Sequence, residues 1–384
     1  MATTSGGRDT GPGHNVAASP VVVAKIGTSS VTDASGRIDT AAVGKFCDGV
    51  AALRASGNHV VVVTSGAISA GLPALGWKGN RPRDAVTLQA VAAVGQARLV
   101  QVYEAALAKH GLVCGQVLLV PLDFMVRSQY LHARGTMSRL LELGVVPVVN
   151  ENDATADDEI RFGDNDRLAA LVAHLVGAEL LVLLTDTAGL YTADPRLDGA
   201  ASLIEEIVAT DADLHAEVGG AGTVRGSGGM ASKLAAARIA AWSGVPAVIA
   251  AADRPNVLVD AVSGRPGVGT RFRPHARHLP ARKLWIAFAV GSNGRITVDE
   301  GARRALVEGN RSLLAAGVRE VHGMFGVDDA VEIVGPDGAV FAKGLARCSA
   351  VELVAIAGKR SADLPDGRDG EVVHRDDLVV LADA

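Results

Sequence analysis

Between Val21 and Ala251 the chain alternates six short runs of β-branched residues and leucine with longer, alanine-rich stretches, and that alternation leaves few architectures open. The apolar runs are "VVVAKI" from Val21, "HVVVVT" over His59 to Thr64, "LVCGQVLLV" over Leu112 to Val120, "GVVPVVN" over Gly144 to Asn150, "LLVLLT" over Leu180 to Thr185 and "VPAVIAA" over Val245 to Ala251. Continuous apolar runs of this length suit strands buried on both faces. The stretches between them, at roughly 39–56, 84–108, 128–143, 165–176 and 229–243, have helical length and composition. Strand and helix in turn predict an α/β fold, a mostly parallel sheet covered by helices on both sides.

Several runs stop abruptly in small or polar residues: Lys25-Ile26-Gly27-Thr28, Thr64-Ser65-Gly66-Ala67, Asn150-Glu151-Asn152-Asp153 and Thr185-Asp186. In open α/β sheets ligands bind just beyond the carboxyl ends of the strands. Lys25, a charge at the end of an apolar strand, is therefore expected at the mouth of a site.

Composition excludes other classes. The chain has 384 residues, 48% of them hydrophobic, and a formal net charge of -5, so bulk charge does not suit it to polyanions. Three widely spaced cysteines, Cys47, Cys114 and Cys348, form no CxxC pair and no disulfide framework, which points to packing roles in a reducing cytoplasm. No uncharged apolar run reaches the roughly 18 residues that span a membrane. Residues 1–19, rich in Gly, Ser and Thr, read as a disordered extension without the apolar core of a signal peptide. Near "RFRPHARHLPARK", Arg271 to Lys283, two histidines and two prolines interrupt the pattern, as a linker would. Beyond it, short β-like pieces and one helical stretch around Glu300 to Ala316 describe a small β-rich domain.

Two further stretches carry chemistry. "GSGGMASKLAAARIAAW", Gly226 to Trp242, sets glycines before a helix with Lys233 in its first turn, an arrangement that suits phosphate, although Walker A spacing is absent. "VNENDATADDEIRFGDNDRLAALVAHL", Val149 to Leu175, holds seven carboxylates within sixteen residues. Asp157, Asp158 and Glu159 read as solvated loop charges, Asp153 closely follows a strand, and "GDND" opens a helix, where Asp164 could serve as an N-cap.

Together "KIGTSSVT", "VTSGAISAG", "AAVGQ", "PVVNENDA", "FGDNDRL", "LLTDTAGLYTADPR" and "GSGGMASKL" resemble the amino acid kinase family, while "ITVDEGARRAL", "SLLAAGV" and "GLARCSAVEL" are similar to the PUA domain. The likeness runs in unbroken order from about Val21 to Leu381. It implies a three-layer αβα sandwich over 20–274, a connector over 275–282 and a PUA-like domain over 283–384. The implied activity is that of a phosphotransferase with a carboxyl acceptor: ATP and Mg²⁺ used to phosphorylate the side chain of free L-glutamate to L-glutamyl 5-phosphate, the first step towards L-proline. Proline as a feedback inhibitor and assembly into a homodimer or homotetramer belong to the same implication.

By motif, Lys25 and Lys233 would bind the transferring phosphoryl group and Asp166 would orient both lysines. Ser65, Gly66, Ala67, Asp153 and Asn165 would hold glutamate. Lys25, Gly27, Thr185, Asp186 and the run Ser227, Gly228, Gly229, Met230, Ala231, Ser232, Lys233 would hold the nucleotide. The resemblance leaves Mg²⁺ largely to the phosphates and singles out no protein ligand. Ser227 and Ser232 stand where the family often has threonine, and both keep the hydroxyl. Two alternatives stay open: a related kinase acting on N-acetylglutamate, aspartate or carbamate, and an RNA-binding PUA protein with a vestigial kinase body. Asp153 speaks for a substrate with a free ammonium group. The net acidic C-terminal segment speaks against nucleic acid as a partner.

Overall fold

The computed structural model describes residues 19–33, 35–78, 80–155, 165–193, 199–208, 229–275, 278–364 and 369–381. The expected N-terminal extension, apart from Ser19, lies outside them, as do Asp157, Asp158, Glu159, Asp164, Ser227 and Gly228.

The first domain runs β1 (Val21–Ile26), α1 (Thr28–Val31), α2 (Thr40–Ala55), β2 (His59–Val63), α3 (Ala67–Ala74), α4 (Ala85–Ala108), β3 (Cys114–Leu119), α5 (Leu122–Met125), α6 (Arg127–Glu142), β4 (Val146–Glu151), α7 (Asn165–Val176), β5 (Leu180–Thr185), β6 (Glu206–Val208), α8 (Met230–Trp242), β7 (Ala247–Ala251), α9 (Val257–Val262) and β8 (Thr270–Arg273). One sheet has the order β3-β4-β2-β1-β5-β7-β8-β6. Its pairings are parallel except where β8 turns antiparallel against β7. The strands split their side chains between two cores because alternate residues face opposite sides. Val23, Val61 and Val149 pack with α6, α7 and α8, whereas Val22, Ala24, Val60 and Val62 pack with α2, α4 and α9. Full burial of each such valine is worth roughly 1.5–3 kcal/mol, so both faces hold the sheet between its helical layers.

Helices α3 and α4 touch backbone to backbone. A Cβ on Gly95 would lie 1.8 Å from the Ala67 carbonyl oxygen and 2.4 Å from the Gly71 nitrogen, and one on Gly71 would lie 2.0 Å from the Val91 carbonyl oxygen. Sequence reasoning did not anticipate α3, since Gly71 and Pro73 within eight residues weaken helix propensity. It is tertiary contact with α4 that makes the segment helical.

Secondary structure occupies both ends of the stretch expected to be a linker, while residues 276–277 lie outside the described residues. Thr270–Arg273 forms β8, in which Thr270 and Phe272 are buried while the arginines alternate outward, a two-residue period too short to stand out in sequence. Ala281–Leu284 forms α10 and continues into a π-helical turn, Trp285–Ala289. The second domain then follows with β9 (Gly294–Val298), α11 (Glu300–Val307), β10 (Leu313–Leu314), β11 (Val318–Gly323), β12 (Ala330–Val334), β13 (Val340–Leu345), α12 (Ala350–Ile356), β14 (Glu371–Val373) and β15 (Leu378–Val380). Its main sheet has the order β11-β9-β12-β13-β15. The helix expected to reach Ala316 stops at Val307, shortly before Gly309 and the positive-φ residue Asn310. The chain there turns into β10 instead, and a second helix of this domain, α12, forms further on, started by a reciprocal capping box between Ser349 and Glu352.

The two domains share apolar core. Leu284, Trp285, Ile286 and Phe288 bury into one cluster with α7 and with Ala330, Leu345, Val379 and Leu381 of the second domain. Polar contacts rim this junction: Arg282 donates to the Met125 carbonyl at 2.9 Å and pairs with Asp377 at 2.5 Å, and the Lys343 ammonium donates to the Val290 carbonyl at 2.5 Å. Burial pushes the Lys343 ammonium down to about 8, helped by Arg167 and opposed by Glu332.

The α3–α4 contact gives a direct test of how rigid the first domain is. Gly95→Ala is expected to cost about 3 kcal/mol through overpacking, read as a lower urea midpoint. An unchanged midpoint would mean that the two helices separate freely.

Candidate active site

At the centre of the sheet, β1 pairs with β2 on one side and β5 on the other, and the chain winds away in both directions from that point. Crevices at such reversals are where α/β sheets bind ligands. Lys25 stands one residue from the carboxyl end of β1, in register with Val63 and Leu183, and is 3% exposed. Its ammonium forms an ion pair with Asp166 Oδ1. Asp166, the second residue of α7, is fully buried. From the opposite side the Lys233 ammonium, 4% exposed on the first turn of α8, approaches Asp166 Oδ2 at 3.2 Å. Ser232 Oγ donates to the same oxygen at 2.7 Å and also lies 2.9 Å from the Gly229 carbonyl.

Burial by itself would raise the Asp166 carboxyl. The charges of Lys25 and Lys233, with hydrogen bonds from Lys25 and Ser232, outweigh it and hold the group below the usual carboxylate range. The trio sums to one positive charge in a dry setting, which suits a polyanionic ligand. Gly27 runs beside this charge: a Cβ there would sit 3.6 Å from the Lys25 ammonium, an ordinary contact distance. The helix starts nearby favour anions as well. Gly229 at α8 and Gly66 at α3 give no side-chain cap, so first-turn N–H groups are left to other acceptors. Gly66 takes φ 110°, a left-handed conformation that glycine adopts without strain.

A second, neutral cluster adjoins the charged one. Asn165, first residue of α7, places Nδ2 2.7 Å from the Thr64 carbonyl, 2.9 Å from Ser65 Oγ and 2.7 Å from Asn150 Oδ1. Its own Oδ1 is buried and has no partner among the described residues. Asn150 Oδ1 also accepts from the Glu151 backbone N–H at 3.0 Å, and Asn150 Nδ2 donates to Gln96 Oε1 at 2.7 Å. Thr64 Oγ1 is held by the Tyr103 hydroxyl at 2.7 Å.

The structure thus brings Lys25, Asp166, Lys233 and Ser232 together, and Ser65 with Asn165. Gly66 and Ala67 begin α3, and Gly229, Met230 and Ala231 form the start of α8. Thr185 ends β5, buried, and donates to the exposed Asp186 at 3.0 Å. Asp153 is partly buried in the turn after β4. Ser227 and Gly228 lie outside the described residues. Sequence reasoning gave no site role to Asn150, Gln96 or Tyr103. Asn150 at the end of an apolar strand was the available signal, whereas Gln96 and Tyr103 come from α4, far away in sequence. Among the described residues no group of three or more His, Cys, Asp or Glu side chains could hold a metal ion, and no helix is long and apolar enough to cross a membrane.

Residues 20–251 match the amino acid kinase family and residues 294–367 match the PUA domain. A curated relative from Nocardia farcinica (strain IFM 10152), named glutamate 5-kinase, is 46% identical over 95% of this chain and 98% of its own. Another of that name, from Burkholderia multivorans (strain ATCC 17616 / 249), is 44% identical over 95% of this chain and 99% of its own. Among solved structures, UMP kinase from Bacillus anthracis covers 67% of this chain and 97% of its own at 15% identity and TM-score 0.47, a likeness too weak to bear on substrate. Near-complete coverage at such identity, on a site built around Lys25, Asp166 and Lys233, leaves one assignment: the chain belongs to the amino acid kinase family, in the branch whose curated members are named glutamate 5-kinase, with a PUA domain at its C-terminal end.

Proposed function

We propose that this protein transfers the γ-phosphoryl group of ATP to the side-chain carboxylate of L-glutamate, giving L-glutamyl 5-phosphate, the first step of proline biosynthesis. The observation that carries this reading is the buried Lys25–Asp166–Lys233 trio beside the Asn165 amide cluster. One carboxylate oxygen bonds to the γ-phosphorus as the bond to the β,γ-bridging oxygen breaks and ADP leaves. The nucleophile is already ionised, so no general base is required. What the site must supply is alignment and charge compensation. A carboxylate near the γ-phosphate meets repulsion of about 4 kcal/mol per unit-charge pair at ~4 Å and an effective dielectric near 20.

Lys25 and Lys233 oppose that repulsion on the transferring group, and Asp166 holds the two ammonium groups at a fixed separation. Asn165 Oδ1, a buried acceptor, takes a hydrogen bond from the substrate's α-ammonium, and Asp153 adds a counter-charge. Ser65, Gly66 and Ala67 meet the substrate's carboxylate. Gly27, Thr185, Asp186 and Ser227 to Lys233 hold the nucleotide. As the family resemblance implies, Mg²⁺ would enter with ATP, held chiefly by the phosphates, and would offset part of their charge; Asp166 is committed to Lys25, Lys233 and Ser232. Proline, which shares the ammonium and carboxylate of glutamate, occupies the glutamate site as an inhibitor. A cytoplasmic location and a homodimer or homotetramer complete the reading.

The first test is ATP-dependent acyl phosphate formation trapped with hydroxylamine, with glutamate, N-acetylglutamate, aspartate and carbamate supplied separately. Hydroxamate from glutamate alone is expected; product from another acid instead would reassign the substrate while keeping the phosphoryl site. Lys25→Ala and Lys233→Ala are each expected to lower kcat by about two to three orders of magnitude, with the KM for glutamate changing about twofold at most. Loss of glutamate binding with kcat intact would reverse these roles. Millimolar proline at subsaturating glutamate should depress the initial rate, and an unaffected rate would remove proline from the scheme.

A further inference from the structure

Gln96 lies within the "AAVGQ" stretch, on a helix that the reaction itself does not use, yet it is 8% exposed and ends in the amide cluster. The direction of each amide in that cluster follows from the backbone. The Glu151 N–H can only donate, so Asn150 turns Oδ1 towards it and Nδ2 away. The Thr64 carbonyl can only accept, so Asn165 turns Nδ2 towards it and Oδ1 away. Asn150 Nδ2 then needs a buried acceptor, and the one it meets is Gln96 Oε1 at 2.7 Å. Gln96 makes this contact although its own Nε2 is left buried with no partner among the described residues.

From these contacts we infer that Gln96 is a positioning residue for substrate recognition: by accepting from Asn150 Nδ2 it holds the Asn150 side chain so that Asn150 Oδ1 stays on Asn165 Nδ2, and Asn165, whose sense the Thr64 carbonyl sets, is kept in place for the substrate. The inference rests on the glutamate reading above. Helix α4 is suited to the task. Gln96, Leu99 and Tyr103 share one buried face at spacings of three and four, and Tyr103 holds Thr64, whose carbonyl is the other fixed partner of Asn165. Gly95 beside Gln96 lets α4 rest directly on the first residue of α3, so the helix has little freedom to withdraw. The hydrogen bond that Gln96 makes runs to Asn150 of the amide cluster. The effect of Gln96 should therefore fall on the amino acid and spare ATP.

Gln96→Leu removes the acceptor at similar volume, whereas Gln96→Glu keeps an acceptor oxygen at the same place. In steady-state assays with thermal midpoints measured alongside, Gln96→Leu should raise the KM for glutamate about tenfold or more and leave the KM for ATP within about twofold, while Gln96→Glu stays near wild type. A glutamate KM unchanged in Gln96→Leu, a parallel rise in both KM values, or equal damage in both variants would overturn the role and make Gln96 a packing residue. Wild-type protein that makes no hydroxamate from glutamate would overturn the substrate reading and this role with it. Active wild type with an insensitive Gln96→Leu would overturn the role alone.

Discussion

Asp166 carries no solvent exposure, and a carboxylate in that position would be strongly destabilising without compensation. Lys25 arrives from the end of β1 and Lys233 from the first turn of α8, so the compensation ties together elements more than two hundred residues apart in sequence. The anion also sits in the first turn of α7, where the helix dipole favours negative charge. None of the three groups is tolerable in the interior singly. Each fixes the others, and the result is two cations held rigidly a short distance apart. A flexible pair of surface lysines would lose side-chain entropy on meeting phosphate; this pair has lost it on folding.

The neutral cluster next to it works by a different principle. Amides have no net charge, but each has one donating and one accepting end, and a chain of them transmits direction. The backbone groups at Thr64 and Glu151 set the sense of that chain, and its open end is the Asn165 carbonyl oxygen. The charged trio thus suits phosphate, which demands charge, while the amide chain suits an amino acid, which demands orientation. Both begin at consecutive residues of α7, so the two halves of the site have a common mounting.

Much of this architecture was legible in sequence. The strands "VVVAKI" and "LLVLLT" have the bounds expected for them, and the five long helices end within one residue of expectation, because buried parallel strands and alanine-rich helices each carry a strong local signal. Elements that depend on distant contacts were not legible. Helix α3 contains Gly71 and Pro73 and forms against α4, and β8 exists because Phe272 finds a place beside β7. Helix α12 could have been found, since Ser349 and Glu352 spell out its capping box. In the site, Lys25, Asp166 and Lys233 stood out through motif, and the structure places them in contact. Gln96 falls in the "AAVGQ" motif, but neither it nor Tyr103 shows in sequence which side chain it meets. Their contacts with Asn150 and Thr64 arise from the packing of α4 beside the ends of β4 and β2, which no window of sequence contains.

The shared core at the domain junction bears on how such a chain could have been assembled or could be taken apart. Trp285 and Phe288 belong to neither domain alone: they lie in the chain between the two sheets and bury against α7 on one side and against Leu345, Val379 and Leu381 on the other. A cut anywhere through residues 274–290 would leave an apolar scar on both halves. The C-terminal domain is therefore less an appended module than a plug, and α7, which carries Asn165 and Asp166 at one end, has the plug seated along its flank.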